Sequence, residues 1–228
     1  MRVNLSSYSE LEEKLEEIGF THRTESGNDN FYWGNSSGKL QVEKVYSSNY
    51  VTNINYIDSQ GTKHTMANIS ATASYVDAYI LEYFPLANNG IILRLMPSTS
   101  TGTAFSKSLQ LAFLVTPSEG VIQFCRDNSS SGAPYIDDGL TVKQVKLINY
   151  TNMTSDITAN VVQIGRLYDL DGGFLDVEAY NCLMCPSTMS QTSVYTFTIG
   201  YDTYIAGMSS STTSSGSAAF GNRLVFKM

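Results

Sequence analysis

Hydrophobic positions in this chain follow two periods, and the change between them comes early. In Ser6–Phe20, SSYSELEEKLEEIGF, Leu11, Leu15 and Ile18 recur at the spacing that gathers side chains on one helical face. Ser7 and Glu10 have the S-x-x-E spacing of a capping box, in which two side chains satisfy free backbone N–H groups at a helix start. Gly19 supplies a stop, so the spacing predicts a helix over 7–19. Glu12, Glu13, Glu16 and Glu17 lie away from the apolar stripe and read as a solvated face. Three apolar residues cannot hold a free helix in water, so the helix must dock on the body of the protein.

After Phe20 the period shortens to that of strands. FYWGNSSGKLQVEKVY and INYIDSQGTKHTM read as hairpins, with Asn-Ser-Ser-Gly and Asp-Ser-Gln-Gly at their turns. YVDAYILEYFPL, GIILRLM, SLQLAFLVT and GVIQFC come next as strands. Then come LTVKQVKLINYT, ANVVQIGRLYDL, FLDVEAYNCLM, SVYTFTIG and TYIAGM. In TVKQVKLI apolar positions alternate, as in a sheet with one wet face. The fold class expected is mainly β, an antiparallel sandwich or barrel-like body with one short N-terminal helix. Residues 1–20 form the helical segment packed on a β-rich body, 21–228.

Two stretches resemble each other. YFPLANNGIILRLMPSTSTGTAFSKSLQLAF and YTFTIGYDTYIAGMSSSTTSSGSAAFGNRLVF both run strand, polar turn, strand ending in Met, Ser/Thr/Gly loop, Phe, strand. Tyr83 corresponds to Tyr195 and Met96 to Met208, each 112 positions apart. One reading is a duplicated β unit with its seam in 117–139; the other is two unrelated hairpins in a Ser-rich chain. The loops 97–104 and 209–219 are long polar connections, which cost little extra closure entropy. Arg223 and Lys227 on the last strand would guard a sheet edge against unwanted pairing.

Composition narrows the function classes. Of 228 residues, 15% are charged, and fifteen Tyr with ten Phe favour packed strands over disorder. A net charge of −7 lacks the basic footprint of a nucleic-acid binder. No apolar run approaches a membrane span and no secretory signal opens the chain, so the expectation is synthesis and assembly in a cytoplasm, with no membrane partner.

Candidate chemistry is thin. Cys182 and Cys185 form C-L-M-C, a spacing shared by zinc knuckles and redox dithiols. A zinc site would have to draw on Cys125, His22 and His64, and Pro186 stands where a redox dithiol would begin a helix. The three cysteines are therefore expected as reduced thiols without metal. Asp169, Asp171 and Asp176 in YDLDGGFLD miss the EF-hand spacing, so this stretch and IDDGL read as turns. Both histidines sit in polar stretches, THR and KHT, which predicts exposed loop or strand-edge residues. No nucleophile elbow, zinc-protease motif or phosphate loop is present. The expectation is no catalytic residue, no metal site, no cofactor and no enzyme. Trp33, beside Phe31 and Tyr32, could stack on a sugar ring or fill a core.

With its acidic N-terminal helix, its Tyr/Asn/Ser/Thr-rich β body, its paired hairpins and its ending YIAG…NRLVFKM, the chain resembles virion structural proteins of tailed bacteriophages or phage-tail-like particles. That resemblance implies a capsid-decoration, neck, tail or baseplate subunit whose partners are copies of itself and other virion proteins. It implies assembly in a host cytoplasm. The alternative is a carbohydrate- or receptor-binding β module.

Overall fold

The computed structural model describes residues 1–44, 51–68, 78–99, 102–103, 109–115, 119–126, 135–144, 161–168, 174–182, 195–209 and 223–228. The chain begins with strand β1 (Arg2–Leu5) and helix α1 (Tyr8–Glu17). A five-stranded meander comes next: β2 (Phe20–Glu25), β3 (Asn28–Trp33), β4 (Lys39–Lys44), β5 (Val51–Ile57) and β6 (Lys63–Asn68). The central sheet then takes β7 (Ala78–Pro85), β8 (Ile91–Thr99), β9 (Gly102–Thr103), β10 (Leu109–Val115), β11 (Val121–Arg126), β12 (Tyr135–Asp137) and β13 (Val142–Gln144). Its order is β1-β7-β8-β10-β11-β12-β13, with β9 folded back on the end of β8. A third sheet uses β14 (Val161–Tyr168), β15 (Phe174–Cys182), β16 (Tyr195–Ile199), β17 (Asp202–Ser209) and β18 (Arg223–Lys227), in the order β14-β15-β18-β17-β16. Every pairing among the described strands is antiparallel. Among the described residues the fold is mainly β with one α-helix, as the two periods predict.

The helix is two residues shorter at its end than its sequence pattern, because Ile18 already serves as C-cap and Gly19 turns away at φ 113°. Ser7 caps it as expected, its Oγ accepting from the Glu10 N–H at 3.2 Å. The reciprocal contact is displaced by one residue. Glu10 accepts from the Ser6 N–H and the Ser6 hydroxyl, each at 2.7 Å. Residues 1–20 are also more than a helix: β1 pairs with β7 from Arg2↔Glu82 to Leu5↔Tyr79 and makes one border of the central sheet.

Side-chain alternation divides the central sheet into two buried faces. Tyr79, Leu81, Leu93, Leu95, Leu109, Leu111 and Phe113 point one way, into a core shared with Phe31, Leu40, Val42 and Ile54 of the meander and Leu11 and Leu15 of the helix. Ile92, Ala112, Leu114, Ile122 and Phe124 point the other way and meet Ile205 and Phe226 of the third sheet. Phe124 and Phe226 form the contact, edge to face, with centroids 5.2 Å apart. The result is three β layers, with the central sheet covered on both sides. This explains LQLAFLV, where six of seven residues in β10 are buried. A strand with one wet face would alternate instead.

Both members of the sequence resemblance become three-stranded antiparallel meanders: β7–β8–β10 in the central sheet and β16–β17–β18 in the third. Their hairpin registers differ, with Tyr83↔Leu93 in one and Tyr195↔Ala206 in the other. Residues 117–139 contain β11 and β12 of the central sheet. The last strand is not an edge. It lies between β15 and β17, so Arg223 and Lys227 guard no border, and Lys227 pairs with Asp202 at 2.8 Å. The first Ser/Thr/Gly loop is partly a hairpin, with Ser98↔Thr103 and Thr99↔Gly102. Most of the second lies outside the described residues.

One polar row crosses the face of the central sheet that meets the third sheet. Arg2, Glu82, Arg94 and Gln110 are successive cross-strand neighbours on β1, β7, β8 and β10. Glu82 and Arg94 are both buried and pair at 2.6 Å, whereas Arg2 is half exposed and 3.7 Å from Glu82. Removing one member of a buried pair strands the other charge, while a half-exposed partner is screened by water. Glu82→Gln is therefore expected to destabilise by about 3 kcal/mol, and Arg2→Ala by less than about 1 kcal/mol. Urea unfolding of the two variants checks the order.

Candidate functional site

Two clusters of titratable side chains stand between the layers. The first centres on Asp29, buried on β3 under the helix. Its Oδ2 accepts from the Tyr8 hydroxyl at 2.7 Å and pairs with Lys44. Its Oδ1 faces the Thr24 hydroxyl at 3.0 Å and His22 Nε2 at 3.1 Å. His22 Nδ1 in turn lies 3.1 Å from Glu12 on the helix, and the ring stacks on Phe31. Helix, β2, β3 and β4 thus converge on one carboxylate. Burial alone would raise the Asp29 carboxyl, but the hydrogen bonds from Lys44, Tyr8, His22 and Thr24 outweigh it and hold it well below the usual carboxylate range. Burial and the same carboxylate push the Tyr8 phenol far up, so it stays a neutral donor.

The second cluster joins the meander to the central sheet. Asp137 Oδ2 accepts from the Tyr56 hydroxyl at 2.8 Å and the Ser59 N–H at 2.7 Å. Its Oδ1 accepts from the Ser59 hydroxyl and the Gly139 N–H. The Tyr56 hydroxyl also lies 2.8 Å from the Gln123 side-chain amide, and burial keeps its phenol neutral. Beside it His64 Nε2 meets Asp58 Oδ2 at 2.8 Å, while Asp58 Oδ1 accepts the Gln60 and Thr62 N–H groups of the β5–β6 turn. Gly38 lets this cluster close, because a Cβ there would run into the Tyr56 hydroxyl and the Gln123 side chain.

In both clusters the carboxylates are held by several donors apiece; the first fastens the helix to the meander and the second fastens the meander to the central sheet. The histidines are on edge strands of the meander, as THR and KHT suggested, but they are not exposed: His64 is buried and the side chain of His22 largely so. IDDGL is a turn, with Asp138 Oδ1 accepting from the Leu140 and Thr141 N–H groups. Asp169 and Asp171 lie outside the described residues, and Asp176 falls in β15. Cys125 is buried in the core, Cys182 ends β15, and Cys185 lies outside the described residues. No group of three metal-ligating side chains occurs among the described residues. Phe31 is fully buried. Trp33 is packed edge-on against Phe20 at 4.9 Å, lies over Gly19, and donates Nε1–H to the Asn89 carbonyl. Its ring serves the core.

Among the described residues, Met1 and Leu140 are exposed singly, and a group of apolar side chains is outward at one end of the third sheet. The β16–β17 hairpin turns through Gly200 at φ 63° and holds Tyr201 fully exposed, with Ile199 38% exposed beside it. Met228, another exposed apolar residue, sits at the same end, its N–H bonded to the Thr203 carbonyl. Phe197 stacks on Tyr204 across the hairpin. Sequence reading missed this tip, although Ile-Gly-Tyr-Asp between two strands carries the signal: an apolar pair flanking a turn glycine.

The Asp29 carboxyl is depressed in the fold, so its contribution is complete above the unfolded carboxyl range near pH ~4 and fades as pH falls below it. Asp29→Asn is expected to lose about 3 kcal/mol at neutral pH, and the gap to the parent chain should narrow towards pH ~2. Denaturant titrations across that range read it directly. Gly38→Ala is expected to lower stability by about 2 kcal/mol through overpacking, seen as a lowered melting temperature.

No family model, curated protein or solved structure matches this chain.

Proposed function

We propose that this protein is a non-enzymatic structural subunit of a phage virion or tail-like particle, acting through contacts with copies of itself and with other particle proteins. The observation that carries the reading is where side chains with something to offer are placed. The buried carboxylates, phenols and histidines of the two clusters are spent on fastening layers together. Of the five large apolar side chains exposed among the described residues, Ile199, Tyr201 and Met228 lie together at the β16–β17 tip, while Met1 and Leu140 stand singly elsewhere. Contact surfaces are enriched in aromatic residues and Met at their centres, and Tyr201 and Met228 give this tip both, beside the Lys227–Asp202 ion pair. The sequence resemblance supports the same reading, since rigid antiparallel β layers with polar connections suit repeated assembly.

The test is association with particles. Expressed with its neighbouring genes, the protein should co-sediment with a particle and be visible in it by electron microscopy. Tyr201→Ser should reduce incorporation while leaving the melting temperature within about 1 °C, as for a surface change away from the core. A protein that never enters a particle and instead turns over a substrate, or binds a glycan through Tyr201, would contradict the proposal.

A further inference from the structure

We propose that β16 is a self-pairing edge, by which one copy of this chain joins a second copy strand to strand about a two-fold axis. The proposal rests on the assembly reading above and names its partner. β16 is the outermost strand of the third sheet. Its five residues pair with β17 on one side, and among the described residues no strand pairs with the other. Thr196, Thr198 and Ile199 are exposed along it. A free edge presents a row of backbone donors and acceptors ready to receive another strand, and proteins guard such edges with charges, prolines or bulges.

Among the described strands, the other ends of the three sheet orders carry charged residues, while the two-residue β9 on the end of β8 carries none. β1 has Arg2, β2 has Arg23 and Glu25, β6 has Lys63, and β13 has Lys143. β14 has Arg166 and two register breaks against β15. β16 reads Tyr-Thr-Phe-Thr-Ile, with no charge and no proline, and it runs in unbroken register with β17. Of the six strands that end the described sheet orders, five carry a charge and this one does not, which is what an edge kept for pairing requires.

The occupant is set by the same residues. In an antiparallel pair centred on Phe197, Phe197 faces its own copy, Thr196 faces Thr198, and the position of Tyr195 faces that of Ile199. No like charges meet, which a charged strand paired with itself in this way cannot easily avoid. Thr–Thr and aromatic cross-strand pairs are favourable. The Phe197–Tyr204 stack, with centroids 6.1 Å apart, would continue across the axis as a row of four rings. Such an isologous contact closes on itself and needs no second protein.

The experiment is a charge exchange on the full chain, read by sedimentation velocity over a range of concentrations. The parent protein should form a concentration-dependent dimer. Thr196→Lys combined with Thr198→Lys, and separately Thr196→Glu combined with Thr198→Glu, should each weaken dimerisation at least about tenfold, a change of about 1.4 kcal/mol. Mixing the Lys and Glu forms should restore a dimer containing one of each. Unchanged circular dichroism and melting temperature establish that both variants fold, and Thr203→Lys, on an exposed site of β17, serves as the neutral control. A parent protein that is monomeric throughout, a doubly charged form that dimerises as well as the parent, or a mixture that fails to recombine would overturn the proposal. Incorporation into particles by a chain failing these tests would leave the assembly reading standing, and a dimer absent from every particle would do the reverse.

Discussion

The central sheet is buried on both faces, and the rest of the molecule is arranged around that constraint. Antiparallel sheets commonly leave one face in water. Here the helix and the first meander cover one face and the third sheet covers the other. Strands in the middle can then carry few polar side chains, and those they carry must find partners inside. Glu82 and Arg94 do so across β7 and β8. Two buried charges of opposite sign are costly to bring together and more costly to separate. That row therefore fixes how β7 and β8 align as much as it stabilises them.

Layers need fastening as well as greasing, and the two carboxylate clusters supply it. Asp29 draws donors from the helix, β2 and β4, and Asp137 draws them from β5, the β5–β6 turn and its own hairpin. Apolar packing tolerates sliding, whereas a buried carboxylate with several donors accepts one arrangement. His22, His64, Asp58 and the two central carboxylates are all engaged in these contacts. At the end of the third sheet Tyr201 faces outward, and β16 runs along the border beside it.

Much of this was legible from the sequence. The helix, its Ser7 cap and the Asp-Ser-Gln-Gly turn arise from local pattern, because caps and turns are decided by neighbours in the chain. What was not legible depends on distant partners. β1 has four residues and no pattern of its own; it is a strand because β7 lies beside it. The histidines look exposed because their neighbours are polar, yet alternate positions of an edge strand point inward, and His64 points there. Asp137 reads as a turn residue, but it is the last residue of β12, and Tyr56 and Ser59, 81 and 78 positions away, make it a fastener. Lys227 looked like an edge guard because nothing nearby in sequence shows that β15 flanks its strand.

The claim on which the account turns is the double burial of the central sheet, and native-state hydrogen exchange measures it most directly. Amides of β8 and β10, paired on both sides and covered on both faces, should exchange slowest and only with global unfolding. Those of the border strands β2, β6 and β16 should exchange earlier. If 91–95 and 109–115 exchanged as fast as the borders, the sheet would have a wet face, and the three-layer arrangement would be wrong.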